Sequence, residues 1–442
     1  MNLRSLAGYG LVCAVLLLGG CDSGRKAPAK VAVRVINLAP SYSQLGFRRE
    51  QTQVENLAFK GGLENLTYDV DTYDFYVNTS PLDASIALQT WTFAPPLKEN
   101  NSYTFVLTEA AGDVVPVVLE SPTPPAADGQ FVVLHAAENV PAVDLYLERP
   151  GVGIGGATPR GSLSFQGQLA PRTIASGEYE LWLTAAGNPA NVLFASGTFT
   201  LPAGAAAALV ITPEGNSGTA AFSVTLLQAG SASLYDRNAT AEMRVINGAA
   251  DGAARDIAIG GAFTPPLFSA ASFATPTPYA SVPVAASTQI TVTPVGNQGV
   301  FELDQAFSAF ANTRQTFLFS GAAGALLPVF AIEDGRHIRN EARIRFWTAA
   351  SQFNPGFLDF LLTARGADQA LQPADAILGA PGASSQLSFP PGDYDIYVRT
   401  DTGAIASGPT PVHMDAGGLY GVLAVNGPDS ATVNLVLLDD FP

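Results

Sequence analysis

Three carboxylates stand at a recurring place in the chain: Asp144, Asp256 and Asp359, each among apolar or mixed neighbours. A carboxylate so placed either ligates a cation or ligand, or pairs with strand arginines and loop N–H groups, because partial burial demands such partners. The second role is the expected one. A fourth copy of the surrounding pattern has Gln44 thereabouts, and a fold-wide role survives one such loss. Asp69, Asp71 and Asp74 form the densest acid cluster. Tyr73 and the missing glycine spoil a calcium-loop pattern of alternating oxygen ligands, so a solvated strand edge is expected. Gly151, Gly153 and Gly156 satisfy G-x-G-x-x-G, but Thr158-Pro159-Arg160-Gly161 follows. A phosphate cradle needs a helix to begin there, and this stretch reads as loop.

Arg336, His337, Arg339, Arg343 and Arg345 form the chief basic cluster, with Trp347 continuing the Arg343/Arg345 face. They either grip an acidic polysaccharide or lipid headgroup, with a cation–π contact at the indole, or line a domain junction and offset nearby acids. The junction is the expected use. His135 and His413 are isolated. Trp91, Trp182 and Trp347 could stack on sugars if exposed, and are otherwise core. The chain has no G-x-S-x-G elbow, H-E-x-x-H pair or P-loop; no catalytic residue, metal site or cofactor is expected.

These residues ride on a repeated framework. Arg34-Val35-Ile36-Asn37 recurs unchanged as Arg244-Val245-Ile246-Asn247, with weaker copies at Val132-Val133-Leu134-His135 and Arg345-Phe346-Trp347-Thr348. The starts lie 98, 112 and 101 residues apart. Leu57, Phe59, Gly61, Leu63, Thr67 and Tyr73 match Leu163, Phe165, Gly167, Leu169, Thr173 and Tyr179 at one offset of 106. Tyr73-Asp74-Phe75-Tyr76-Val77 likewise matches Tyr179 to Leu183 and Tyr394 to Val398. Four units follow, at 31–120, 130–228, 241–334 and 341–439.

Within the second unit, Val143, Leu145 and Leu147 alternate with Asp144 and Tyr146, the period of a strand. Strand-like runs fall at 131–136, 143–147, 163–165, 179–184, 197–201, 207–212 and 221–227, separated mostly by Gly, Pro or Asn. About seven short strands per hundred residues predict an all-β chain: a tandem array of four immunoglobulin-like antiparallel sandwiches. Linkers are expected at 121–125, 229–240 and 335–340. Four compact units end to end would span on the order of 130 Å.

Composition agrees. With 43 Gly and 32 Pro in 442 residues, long helices are excluded. An apolar fraction of 47% excludes disorder, and a net charge of −16 disfavours nucleic acid and anionic lipid as general partners.

The N-terminus carries Arg4, an apolar stretch from Leu6 to Leu18, and then Gly19-Gly20-Cys21. That stretch has the length of a signal core and is too short for an ordinary membrane span. Leu18-Gly19-Gly20-Cys21 resembles the lipobox of bacterial lipoproteins. The resemblance implies cleavage between Gly20 and Cys21, removal of residues 1–20, and acylation of Cys21. Residues 21–30 then form a short tether to a membrane. The mature chain, without Arg4 and Cys13, would carry −17 and no free thiol or disulfide. Asp22 leaves inner-membrane retention open beside the outer membrane's periplasmic face and the cell surface.

The units further resemble a bacterial domain-of-unknown-function family of exported, immunoglobulin-like modules. The resemblance rests on an opening Arg-Val-x-Asn strand (Arg244 to Asn247), an Asp-x-Tyr strand (Asp144 to Tyr146), a Pro391-Gly392-Asp393-Tyr394 turn and a late Tyr103-Thr104 strand. It implies the fold but carries over no chemistry. The expected function is therefore a non-catalytic structural or interaction array, adhesive or scaffolding, on the envelope. Its partner would be an unknown envelope protein or glycan. A carbohydrate-binding or enzyme-accessory lipoprotein is the alternative.

Overall fold

A computed structural model describes residues 29–80, 88–261 and 265–440. The leader, Gly20, Cys21 and the tether through residue 28 lie outside the described residues.

Unit 1 sets the pattern. Its strands are β1 (Lys30–Asn37), β2 (Gln44–Arg49), β3 (Thr52–Ala58), β4 (Gly62–Asp69), β5 (Phe75–Thr79), β6 (Thr90–Phe93), β7 (Asn101–Ala110) and β8 (Asp113–Pro122). They form two sheets, β4-β1-β7-β8 and β3-β2-β5-β6, stacked about a core that includes Val33, Phe47, Phe75 and Phe105. All ladders are antiparallel except β1 with β7, where Arg34 lies opposite Thr104. The parallel pair returns in every unit, through Val132 and Ala208, Arg244 and Thr316, and Arg345 and Gly421.

The described residues are all-β and form four sandwiches built from eight sheets. Each unit carries eight to ten strands rather than about seven. In unit 2 the additional strands include Gln168–Ala175 and Asn188–Ala195, with burial patterns that are mostly exposed. Their outward residues lack the apolar alternation that reveals a strand.

Repeated side chains fasten each sandwich. Asn37 accepts from the Ala39 amide (3.0 Å) and donates to the Leu57 carbonyl (3.0 Å). Asn247 does the same, with the Ala249 amide at 3.0 Å and the Ala253 and Ala271 carbonyls at 2.9 Å. Tyr179 and Tyr394 each donate to a carbonyl four residues upstream, those of Ala175 and Pro390, at 2.6 Å. Tyr103 and Tyr420 each accept from the amide five residues upstream, at 2.8 and 2.7 Å. Buried backbone groups at these corners would otherwise lack partners.

The units are not strung end to end; they stack in pairs. In the first strand of every unit alternate residues face opposite ways, and both faces are apolar. Val133 and Phe346 enter their own cores, whereas Leu134 and Trp347 join separate clusters shared with the neighbouring unit. Between units 1 and 2 lie Ile36, Val106 and Leu119 against Leu134, Val210 and Leu227. Between units 3 and 4 lie Ile246 and Leu318 against Trp347, Leu423 and Leu438. Each pair is therefore four sheets deep, with three apolar layers. The expected linkers are likewise part of the structure: Ser121 and Pro122 close β8, and Ser231–Leu234 adds an edge strand to unit 2.

Candidate functional site

The Arg-Val-x-Asn arginine stands where two units of a pair meet. Its side chain belongs to the outward set of the first strand, so it lies beside the inter-unit layer. Arg244 donates from Nε to Thr316 Oγ1 (2.8 Å) and crosses to unit 4, where Asp439 accepts. Glu333 of its own unit lies 3.6 Å away. Arg345, the same position in unit 4, reaches back across to the Ile332 carbonyl (2.8 Å) and to Glu333 (3.4 Å). The two units thus exchange last-strand acids and first-strand arginines reciprocally, as an isologous interface does.

A crevice of about 370 Å³ opens at this junction, lined among others by Arg244, Tyr279, Glu333, Arg345, Trp347 and Asp439. Burial opposes the charge on Arg244, but the Asp439 hydrogen bond and the neighbouring acids hold its pKa above the usual value. Burial likewise pushes the Tyr279 phenol up to about 12.

The first pair has a crevice of about 440 Å³ at the same place, beside Arg34. Arg34 donates from Nε to Thr104 Oγ1 (2.7 Å) and crosses to the unit 2 carbonyls of Gln228 (2.6 Å) and Ala206 (3.3 Å). Here burial lowers the arginine pKa, with Glu64 opposing weakly.

The remaining predicted residues are used elsewhere. Arg336 pairs with Asp334 at 2.7 Å, reaches the Pro40 carbonyl at 3.3 Å and lies over the Phe59 ring. Arg339 donates to the Gly112 carbonyl, and its amide reaches Ser41 O at 3.1 Å. Arg343 pairs with Asp334 at 3.0 Å. The basic cluster thus straps the second pair onto unit 1. Burial opposes ionisation of Asp334, but Arg336 and Arg343 outweigh it and hold the carboxyl below its ordinary value.

Asp144 accepts from the Gly187 amide (2.7 Å) and from Ser162. Asp256 accepts from the amides of Ala270 (2.8 Å) and Gly296 (2.9 Å). Asp359 instead faces Arg399 at 3.5 Å. Asp69 pairs with Lys30 at 2.7 Å on an exposed edge. Among the described residues no group of three His, Cys, Asp or Glu could hold a metal ion.

Two of the three tryptophans offer no open stacking face of the kind a sugar needs. Trp347 is fully buried, and Trp182 is buried under the Arg237 guanidinium, 4.5 Å from its ring. Trp91 is partly buried with Tyr42 against its edge. Gly151, Gly153 and Gly156 all have positive φ in a turn-rich loop, and Ile154 and Ala157 of that loop pack near Tyr146 and Trp182. His135 is buried, its pKa lowered by burial, and its Nε2 lies 3.2 Å from the Pro141 carbonyl.

Fold and junctions together define a tandem sandwich protein in which the repeated first-strand arginines Arg34, Arg244 and Arg345 sit at unit interfaces. A family described as a domain of unknown function (DUF4397) matches residues 31–146, which is unit 1 and the opening strands of unit 2. No curated protein matches the chain. Among solved structures, the chain is similar to the TIE protein of Bacillus anthracis, at 10% identity over 86% of this chain and 66% of that one, with a TM-score of 0.17. It thus spans slightly less than two thirds of that protein. A candidate cell adhesion protein from Bacteroides uniformis shares 12% identity over 47% of this chain and 99% of its own, with a TM-score of 0.20. A streptococcal ancillary pilin shares 10% over 68% of this chain and all of its own, at 0.15.

Proposed function

We propose that the chain is a lipid-anchored protein of the bacterial cell envelope that acts as a non-catalytic structural or interaction module. The observation that carries this reading is where the candidate chemical groups go. The strand aspartates hold turn amides or a strand arginine, and the basic cluster joins one pair of units to the other. Such uses make a rigid body whose outer edges and loops are left for partners. The anchor rests on Leu18-Gly19-Gly20-Cys21, and several acyl chains, at about 0.8 kcal/mol per buried CH₂, hold a protein durably at a membrane. Membrane fractionation of Cys21→Ala tests it: the variant is expected in the soluble fraction, and continued membrane association overturns the anchor.

A further inference from the structure

The two crevices occupy the same place in two pairs, yet only one is electrically closed. In the second pair Arg244 lies between Asp439 and Glu333. Strand registers give the equivalents of these acids in the first pair. Asp439 lies opposite Tyr420, which lies opposite Ile344, the residue before Arg345. The same path in unit 2 runs from Phe131 through Ala207 to Gln228, one residue past the last paired position. Glu333, read through Arg314 and Glu242, corresponds to Ser121, read through Ser102 and Ala32. Both carboxylates are therefore replaced by neutral residues. Among the described residues Arg34 makes no ion pair, and three of its five N–H groups are engaged. The only other charged residue lining the crevice is Glu64, which is not within ion-pair distance.

We propose that the crevice beside Arg34 binds the carboxylate side chain of an acidic peptide segment from a partner protein. The second pair shows what the geometry takes, since there a carboxylate crosses between units to meet the arginine. A guanidinium with free N–H groups in a partly desolvated cleft favours a planar carboxylate acceptor. The walls contributed by Ala32, Pro124, Ala205 and Ala206 suit the methylene stem of a glutamate. Of the two amide side chains in the lining, Asn65 and Gln228, the second is engaged with the Thr200 carbonyl (2.7 Å), and the lining aromatic, Tyr103, is buried and offers no stacking face, which favours a peptide over an acidic glycan. The proposal rests on the interaction reading above, but not on the anchor.

The test titrates the full chain with a blocked pentapeptide carrying one central glutamate, its glutamine counterpart, and glucuronate, by calorimetry. The glutamate peptide is expected to saturate and to bind at least about tenfold tighter than the glutamine peptide, as a charge-assisted bond implies. Arg34→Gln should remove that preference. Gln228→Asp, which supplies the missing carboxylate internally, should also abolish it in a protein that still melts cooperatively. Equal binding of the two peptides, tighter binding of glucuronate, or a preference unchanged by Gln228→Asp each overturns the proposal. Those results leave the fractionation of Cys21→Ala unaffected, so the two failures are distinguishable.

Discussion

Units 1 and 2 and units 3 and 4 are two versions of one assembly, and they differ in how the junction arginine is neutralised. In the second pair Arg244 and Arg345 interlock with Glu333 and Asp439, while Trp347 fills the apolar layer beside them. In the first pair Leu134 occupies the Trp347 position and Val132 the Arg345 position, and Arg34 makes do with a hydroxyl and carbonyls. The apolar layer is therefore the shared requirement for pairing. The ion network was added to, or lost from, a contact that stands without it.

That contrast is sharpest in the largest expected effect. Trp347→Ala empties a fully buried position in the layer between units 3 and 4. It should cost about 3–5 kcal/mol, and Leu134→Ala in the first pair about 2–5 kcal/mol. Denaturant midpoints read both. If either substitution proved neutral, the layers would not be what holds the pairs together.

Next in size is the arginine itself. Arg244→Met leaves Glu333 and Asp439 partly unpaired at a buried junction and should cost about 3 kcal/mol. Arg34→Met strands no carboxylate, only a hydroxyl and two carbonyls at a part-buried site, and should cost less, about 1–2 kcal/mol in all. Thermal midpoints of the two variants should differ accordingly. Equal losses would erase the distinction between the pairs.

How much of this could be read beforehand depends on the element. The Arg-Val-x-Asn repeat marks the first strand of units 1 and 3 because Asn37 and Asn247 have the same duties within their own units, accepting from the amide two residues on and donating to the Leu57 and Ala271 carbonyls. The strand Gln168–Ala175 is hidden in the sequence, since an edge strand that is mostly exposed, with Arg172 and Thr173 consecutive and both outside, resembles loop. Pairing of the units was hidden for a different reason. Residues such as Leu134 and Trp347 look like ordinary core, and an apolar residue does not announce which of two apolar layers it joins. The basic cluster showed where a junction lay, but its carbonyl acceptors at Pro40 and Gly112, 296 and 227 residues away in the chain, leave no trace in residue type.

The strap between the pairs carries a pH dependence. Burial opposes ionisation of Asp334, but Arg336 and Arg343 hold its folded pKa below the ordinary carboxylate range. A depressed carboxylate stabilises the folded state above its unfolded pKa, and that contribution is lost as pH falls through the folded value. Acid below about pH 4 should therefore loosen the attachment of the second pair to unit 1. Asp334→Asn should flatten that part of the profile, with hydrogen exchange at residues 334–343 as the readout. A wild-type profile retained in Asp334→Asn would place the acid sensitivity elsewhere.

The smallest expected effects compare the strand aspartates within the two pairs and ask whether one position has one role. Asp256 holds two backbone amides at a buried site, so Asp256→Ala orphans both and should cost about 2 kcal/mol. Asp359 faces only the Arg399 guanidinium, and both side chains keep some exposure, 23% and 15%. Its replacement should cost at most about 1 kcal/mol, since partly solvated pairs contribute little. Asp144, bound to the Gly187 amide and Ser162, should fall with Asp256. Melting midpoints of the three alanine variants with and without calcium separate the alternatives. The predicted order without any calcium shift supports turn-holding carboxylates, whereas a calcium shift abolished by Asp256→Ala would make the position a cation ligand.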